Sequence, residues 1–147
     1  MIRTQRITDA HLGALCELEE KLFDASSFPL SRRAFSYHIK GKGILLGAFD
    51  GEVLAGYILV FLYTKSGRVY SLGIAPEYRR KGIASMLMER AQEIVMGRHK
   101  NTLRLEVRKD NIPAQKLYNE LGFSVEKVLP AYYPDGGDGL KMAKSLT

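Results

Sequence analysis

The stretch Ser71–Ser85, SLGIAPEYRRKGIAS, limits what this chain can fold into more than any other segment. Leu72, Gly73, Ile74 and Ala75 read as the end of a strand, stopped by Pro76, whose nitrogen carries no hydrogen for a continuing ladder. Met86, Leu87, Ala91, Ile94 and Val95 then recur at helical spacing. Between strand and helix stand Arg79, Arg80, Lys81 and Gly82, followed by Ile83 and Ala84. A helix start offers free N–H groups and partial positive charge, the three cations strengthen that field, and a glycine lets a ligand approach the backbone. The segment reads as an anion site on a strand-turn-helix unit. A solvated basic turn is the alternative that this stretch alone leaves open.

A second stretch, LEVRKDNIPAQKLYNELGF at 105–123, follows the helix. Thr102 to Val107 alternates Leu103, Leu105 and Val107 on one face with Arg104, Glu106 and Arg108 on the other. A glutamate in mid-strand, in a sheet covered by helices on both sides, must be paired or stand beside a cavity. Asn111 is placed to cap the next helix, with Pro113 in its first turn, and Tyr118 shares that helix with Ala114, Leu117 and Leu121. From spacing alone Tyr118 reads as a core aromatic ahead of a catalytic residue.

Around these segments the periodicities give a strand at Ile2–Ile7, a helix capped by Thr8 running to about Asp24, and a short helix from Ser31 to Ile39. Strands follow at 44–49, 53–64 and 68–75, with Asp50-Gly51 as a hairpin turn, and a final strand pair lies at 123–132 and 139–146. This order predicts one α+β domain over 1–147, with a mixed central sheet, mostly antiparallel, flanked by helices on both faces. The strands on either side of the helix at 82–97 should run parallel, and ligands favour the carboxyl ends of such strands.

Composition narrows the function. The formal net charge of +6 suits nucleic acid, an anionic surface or a small polyanion, but the cations are dispersed except at 79–81. That compact cluster favours a small polyanion over nucleic acid. No apolar run is long enough to span a membrane, Cys16 stands alone, and His11, His38 and His99 lack metal-ligand spacing. The expectation is a metal-free cytoplasmic protein, a monomer or weak dimer.

Taken together, Arg79-x-x-Gly82-x-Ala84 and the segment from Asn111 to Gly122-Phe123 resemble the GNAT superfamily of acetyl-CoA-dependent N-acetyltransferases. Within it, LEVRKDN, Leu117-Tyr118 and AYYP at 131–134 are most similar to the ribosomal-protein-alanine N-acetyltransferases of RimI type. The resemblance implies a sheet with a splayed parallel pair, opened by a bulge for which Gly73 is the candidate. It places the acetyl-CoA pyrophosphate on Arg79 to Ala84 and the cofactor arm along Leu72, Gly73, Ile74 and Asn111, with backbone N–H groups of 72–74 polarising the thioester. Glu106 falls on the general base and Tyr118 on the general acid. With a phenol near ~10 and a thiol near ~8.5, protonating the departing thiolate would cost little. Phe28, Leu30, Tyr132 and Tyr133 stand where such enzymes line the acceptor groove, although close relatives carry tryptophan where this chain has Leu30. The implied reaction is direct acetyl transfer to a primary amine, with a protein or peptide N-terminus the leading acceptor. A small amine, a lysine side chain, or a non-catalytic acetyl-CoA-binding module are the alternatives.

Overall fold

A computed structural model describes residues 1–23, 29–41 and 43–147. The order is β1 (Ile2–Arg6), α1 (Leu12–Leu22), α2 (Arg32–Lys40), β2 (Ile44–Asp50), β3 (Val53–Leu62), β4 (Ser66–Ile74), α3 (Ile83–Gly97), β5 (Thr102–Arg108), α4 (Ile112–Glu120), β6 (Ser124–Leu129) and β7 (Gly139–Ser145). The seven strands form one sheet in the order β1-β2-β3-β4-β5-β7-β6. Only β4 and β5 are parallel, as the crossover through α3 requires.

Local chemistry sets most boundaries. Ser31 accepts the Ala34 N–H at 3.1 Å and opens α2; Asn111 does the same for Ala114 at 3.2 Å and opens α4. A 3-10 turn at Asp9–His11 precedes α1. The expected end of the first helix near Asp24 lies outside the described residues; α1 is helical to Leu22. Another 3-10 turn, Pro76–Tyr78, separates β4 from the basic loop, and Tyr78 donates to Asp50 at 2.8 Å, anchoring that loop to the end of β2.

Both faces of the sheet are covered. Leu46, Ala48, Ile58, Val60 and Leu105 pack with Leu87, Met88, Ala91 and Val95 of α3, and Tyr118 of α4 and Leu121 just past its end join that side. Leu45, Phe49, Tyr57 and Leu59 pack with Leu15 and Leu18 of α1 and Phe35 and Ile39 of α2. This double burial explains why β2 is a near-continuous apolar run. The last strand pair is shorter than its sequence pattern: β6 stops at Leu129, and the residues beyond it fold into the loop that reaches back to the site.

Candidate active site

The site begins where two strands part. Ser66–Val69 of β4 pairs with Thr102–Leu105 of β5, and pairing then ceases although β4 continues to Ile74 and β5 to Arg108. On its other edge β4 pairs with β3, where Leu59 faces Ser71 but Val60 faces Val69. Tyr70 is thus the extra residue of a β-bulge, which sharpens local twist and turns the strand away from β5. The bulge is not at Gly73, as the sequence suggested. Gly73 is glycine because of crowding: a Cβ there would lie 2.7 Å from Leu22 Cδ1 and 3.0 Å from Tyr57 Cε1.

The bulge also fixes which backbone groups face the gap. The Ala75 N–H donates to Ala55 of β3 at 2.8 Å. Since donors alternate along a strand, the Gly73 N–H points toward β3 as well, and those of Leu72 and Ile74 point toward the opening beside β5. Of the three backbone N–H groups at 72–74, those of Leu72 and Ile74 point into the opening and that of Gly73 does not.

A cavity of about 620 Å³ fills the splay, lined on one side by Leu72, Gly73 and Ile74 and on the other by Glu106 and Tyr118. The start of α3 closes one end, through Arg79, Arg80, Gly82, Ile83 and Ala84. Arg80 and Gly82 have left-handed φ values of 63° and 76°, which winds the loop tightly before the helix. A Cβ at Gly82 would have no atom within 4 Å, so this backbone lies open to a ligand. Met86 makes the first N–H bond of the helix, to the Gly82 carbonyl at 3.0 Å, leaving the N–H groups of 82–85 for an anion. Lys81 does not join the lining; its ammonium sits 5.7 Å from the centroid of the Tyr78 ring. Asn111 lines the cavity as well as capping α4. Free helix-start donors, two cations and a channel running along the open edge of β4 fit a ligand with a diphosphate at one end and a narrow polar arm.

At the other end Glu106 is both paired and cavity-lining, which resolves the two sequence readings into one. Its side chain is only 12% exposed. Oε1 forms an ion pair with Nη2 of Arg68 and accepts from the Tyr132 hydroxyl at 3.3 Å; Arg68 Nη2 also donates to that hydroxyl at 3.2 Å. Both of these contacts to the Glu106 carboxylate fall on Oε1. Tyr118 packs edge-to-face on Phe123, with centroids 6.1 Å apart, and burial pushes its hydroxyl up to about 12. Tyr132 and Tyr133 close this end from the loop between β6 and β7, and Arg108 holds that loop, its guanidinium 4.4 Å over the Tyr133 ring and 3.0 Å from Asp135.

Of the remaining expected groove residues, Phe28 lies outside the described residues, and Leu30 packs beside α1 without lining the cavity. Two residues escaped the sequence reading. Arg68 stands beside Glu106 because of the parallel pairing of β4 with β5. Glu19, 2% exposed, lines the cavity from α1; it accepts from the Tyr57 hydroxyl and, at 2.7 Å, from the Leu30 N–H. The Tyr57 hydroxyl also lies 3.0 Å from Ser71 Oγ at the bulge. Burial raises the Glu19 carboxyl above its ordinary value, and the Tyr57 and Leu30 hydrogen bonds partly oppose this. Its spacing from Leu15 and Leu22 was the available signal: 15, 19 and 22 share one helical face.

Comparison with known proteins gives a consistent picture. The model of the acetyltransferase (GNAT) family matches residues 12–123. An N-alpha-acetyltransferase of Saccharolobus solfataricus is 42% identical over 127 residues, covering 76% of this chain and 75% of that protein. The [ribosomal protein bS18]-alanine N-acetyltransferase of Salmonella typhimurium is 26% identical over 128 residues, covering 87% and 84%. The crystal structure of the ribosomal-protein-S18-alanine N-acetyltransferase from Escherichia coli superposes with a TM-score of 0.87 at 26% identity, covering 100% of this chain and 95% of that one.

Proposed function

The chain belongs to the acetyltransferase (GNAT) family, an N-acetyltransferase fold that uses acetyl-CoA, and from that premise we propose that it acetylates the N-terminal α-amine of proteins or peptides by direct transfer. The observation that carries this reading is that Glu106 and Tyr118 line one cavity with the open N–H groups of β4 and the start of α3. Arg79, Arg80 and the helix-start N–H groups would hold the pyrophosphate, and Asn111 with the edge of β4 would hold the arm. Acetyl-CoA supplies an activated acyl group as a thioester. The Leu72 and Ile74 N–H groups are aimed to polarise its carbonyl.

Glu106 works through Oε2 and a water, because Oε1 is held by Arg68 and Tyr132. An α-amine with pKa ~8 is nearly half neutral at neutral pH, whereas a lysine near ~10.4 needs roughly 4 kcal/mol to deprotonate. The Arg68 guanidinium beside Glu106 also disfavours an incoming ammonium over a neutral amine. Both effects favour the easily deprotonated acceptor. Cys16 is not among the cavity-lining residues and burial pushes its thiol up, which speaks against an acyl-enzyme. A lone, half-buried thiol also suits the reducing cytoplasm, where we place the protein.

The test is release of thiol from acetyl-CoA with peptides of varied first residues, beside spermine, free lysine and N-terminally blocked lysine peptides. Turnover confined to free N-termini supports the proposal. Turnover on spermine or blocked peptides alone would transfer it to a small-amine or lysine enzyme. Tight acetyl-CoA binding with no turnover on any acceptor would leave a binding module.

A further inference from the structure

The trio Arg68, Glu106 and Tyr132 is a shared wall: the same three residues line the main cavity and a second cleft of about 500 Å³. This cleft continues over the Glu106 face of β5 and β7, past Tyr63 and Leu129 toward Arg104, Glu126 and Lys141. Its charges do not cancel. Arg68 is paired with Glu106, and Arg104 with Glu126 at 3.2 Å. Lys141 has no carboxylate within 4.0 Å among the described residues. It stands directly opposite Glu106 in the β5–β7 ladder, so both side chains leave the same face of the sheet, with Cβ atoms about 5 Å apart. The guanidinium of Arg68 adds a buried Nε donor that has no hydrogen-bond partner among the described residues.

We infer that the second cleft carries the acceptor chain beyond its reacting amine, and that Lys141, backed by Arg68, selects acceptors with an acidic side chain at the second or third position. This rests on the N-terminal acetylation proposed above. With the α-amine at the water on Glu106 Oε2, an extended acceptor advances about 3.3 Å per residue, which brings its second and third side chains over the wall and into reach of a lysine one strand away. The unpaired cation lies where a carboxylate there would end. An acceptor with lysine or arginine at those positions would meet Lys141, Arg68 and Arg104 with only two carboxylates to offset them.

The experiment uses peptides with free N-termini that differ only in carrying Glu, Gln or Lys at positions two and three, assayed by thiol release with the wild-type chain, Lys141→Gln and Lys141→Glu. The wild-type chain is expected to favour the Glu over the Lys peptide by about tenfold in kcat/KM, mostly through KM, with the preference falling as salt rises. Lys141→Gln should bring the ratio near one and Lys141→Glu should invert it. Turnover on all three peptides with a wild-type ratio near one, or a ratio that ignores Lys141→Glu, would overturn this inference while leaving N-terminal acetylation standing. No turnover on any free N-terminus would overturn both. Lys141→Glu also reads out without comparison to wild-type rates, since only its internal ratio of peptides matters.

Discussion

Replacing Tyr118 by phenylalanine removes one hydroxyl and keeps the ring against Phe123, so folding should survive and the chemistry should report. Read from sequence with an ordinary phenol, proton donation to the departing thiolate looked nearly free. With the hydroxyl pushed up to about 12 by burial, full transfer to the thiolate of a thiol near ~8.5 is uphill by about 5 kcal/mol. Tyr118 is therefore expected to stabilise the departing sulfur by donating a hydrogen bond, and the thiolate takes its proton from water afterwards. A hydrogen bond to a charged partner contributes about 1.5–3 kcal/mol, which predicts a fall in kcat of about 10- to 150-fold, with KM for acetyl-CoA within about twofold. Steady-state thiol release at saturating peptide measures it, with thermal melting as the check on folding. An unchanged kcat would mean that the hydroxyl does not meet the sulfur. A loss beyond about 10⁴-fold in a folded variant would mean that complete proton transfer is required, and the burial argument would be wrong.

Three further outcomes follow from the same geometry. Glu106→Gln should lower kcat by about 10²- to 10⁴-fold while equilibrium binding of acetyl-CoA, held mainly at the far end of the cavity, stays unchanged; weakened cofactor binding would point to a structural role. Gly73→Ala should lower stability by about 1–3 kcal/mol in denaturant unfolding, because its Cβ meets Leu22 and Tyr57 in a packed layer, and wild-type stability would contradict that packing. Glu19 has a folded-state pKa above its unfolded one, so the native state holds the proton more tightly. Wild-type stability should fall relative to Glu19→Gln as pH rises from the ordinary glutamate value to the raised one, then level off; a difference independent of pH, or one that grows in favour of the wild type, would refute the burial effect.

The legible parts of the site were the local ones. Arg79 to Ala84 and the Asn111 cap depend on residues adjacent in the chain, and the alternation of β5 put Glu106 opposite the core face without any tertiary knowledge. Its partner was not legible. Arg68 meets Glu106 only because β4 lies beside β5 in parallel, a register that neither strand's pattern specifies. The bulge hid more. Strict alternation puts Val69, Ser71 and Gly73 on one face, and the extra residue at Tyr70 moves Ser71 and Gly73 to the face of Tyr57. Gly73 looked like the bulge residue because glycine suits both a bulge and a close contact, and only packing separates them. Glu19 was overlooked because reading α1 by its apolar residues passes over a carboxylate on the same face, and the groups that satisfy it come from β3 and from Leu30. Lys81 was grouped with its arginine neighbours by sequence, but the left-handed turns at Arg80 and Gly82 send it to Tyr78 instead.

Direct transfer to an α-amine is tested most directly by finding where the acetyl group goes. A peptide with a free N-terminus and an internal lysine, incubated with the enzyme and acetyl-CoA, would be fragmented in a mass spectrometer alongside the enzyme itself. The account predicts one acetyl group, on the α-nitrogen, and an enzyme of unchanged mass throughout turnover. Acetyl on the lysine side chain, or an acetylated enzyme that passes its group to the peptide, would contradict it.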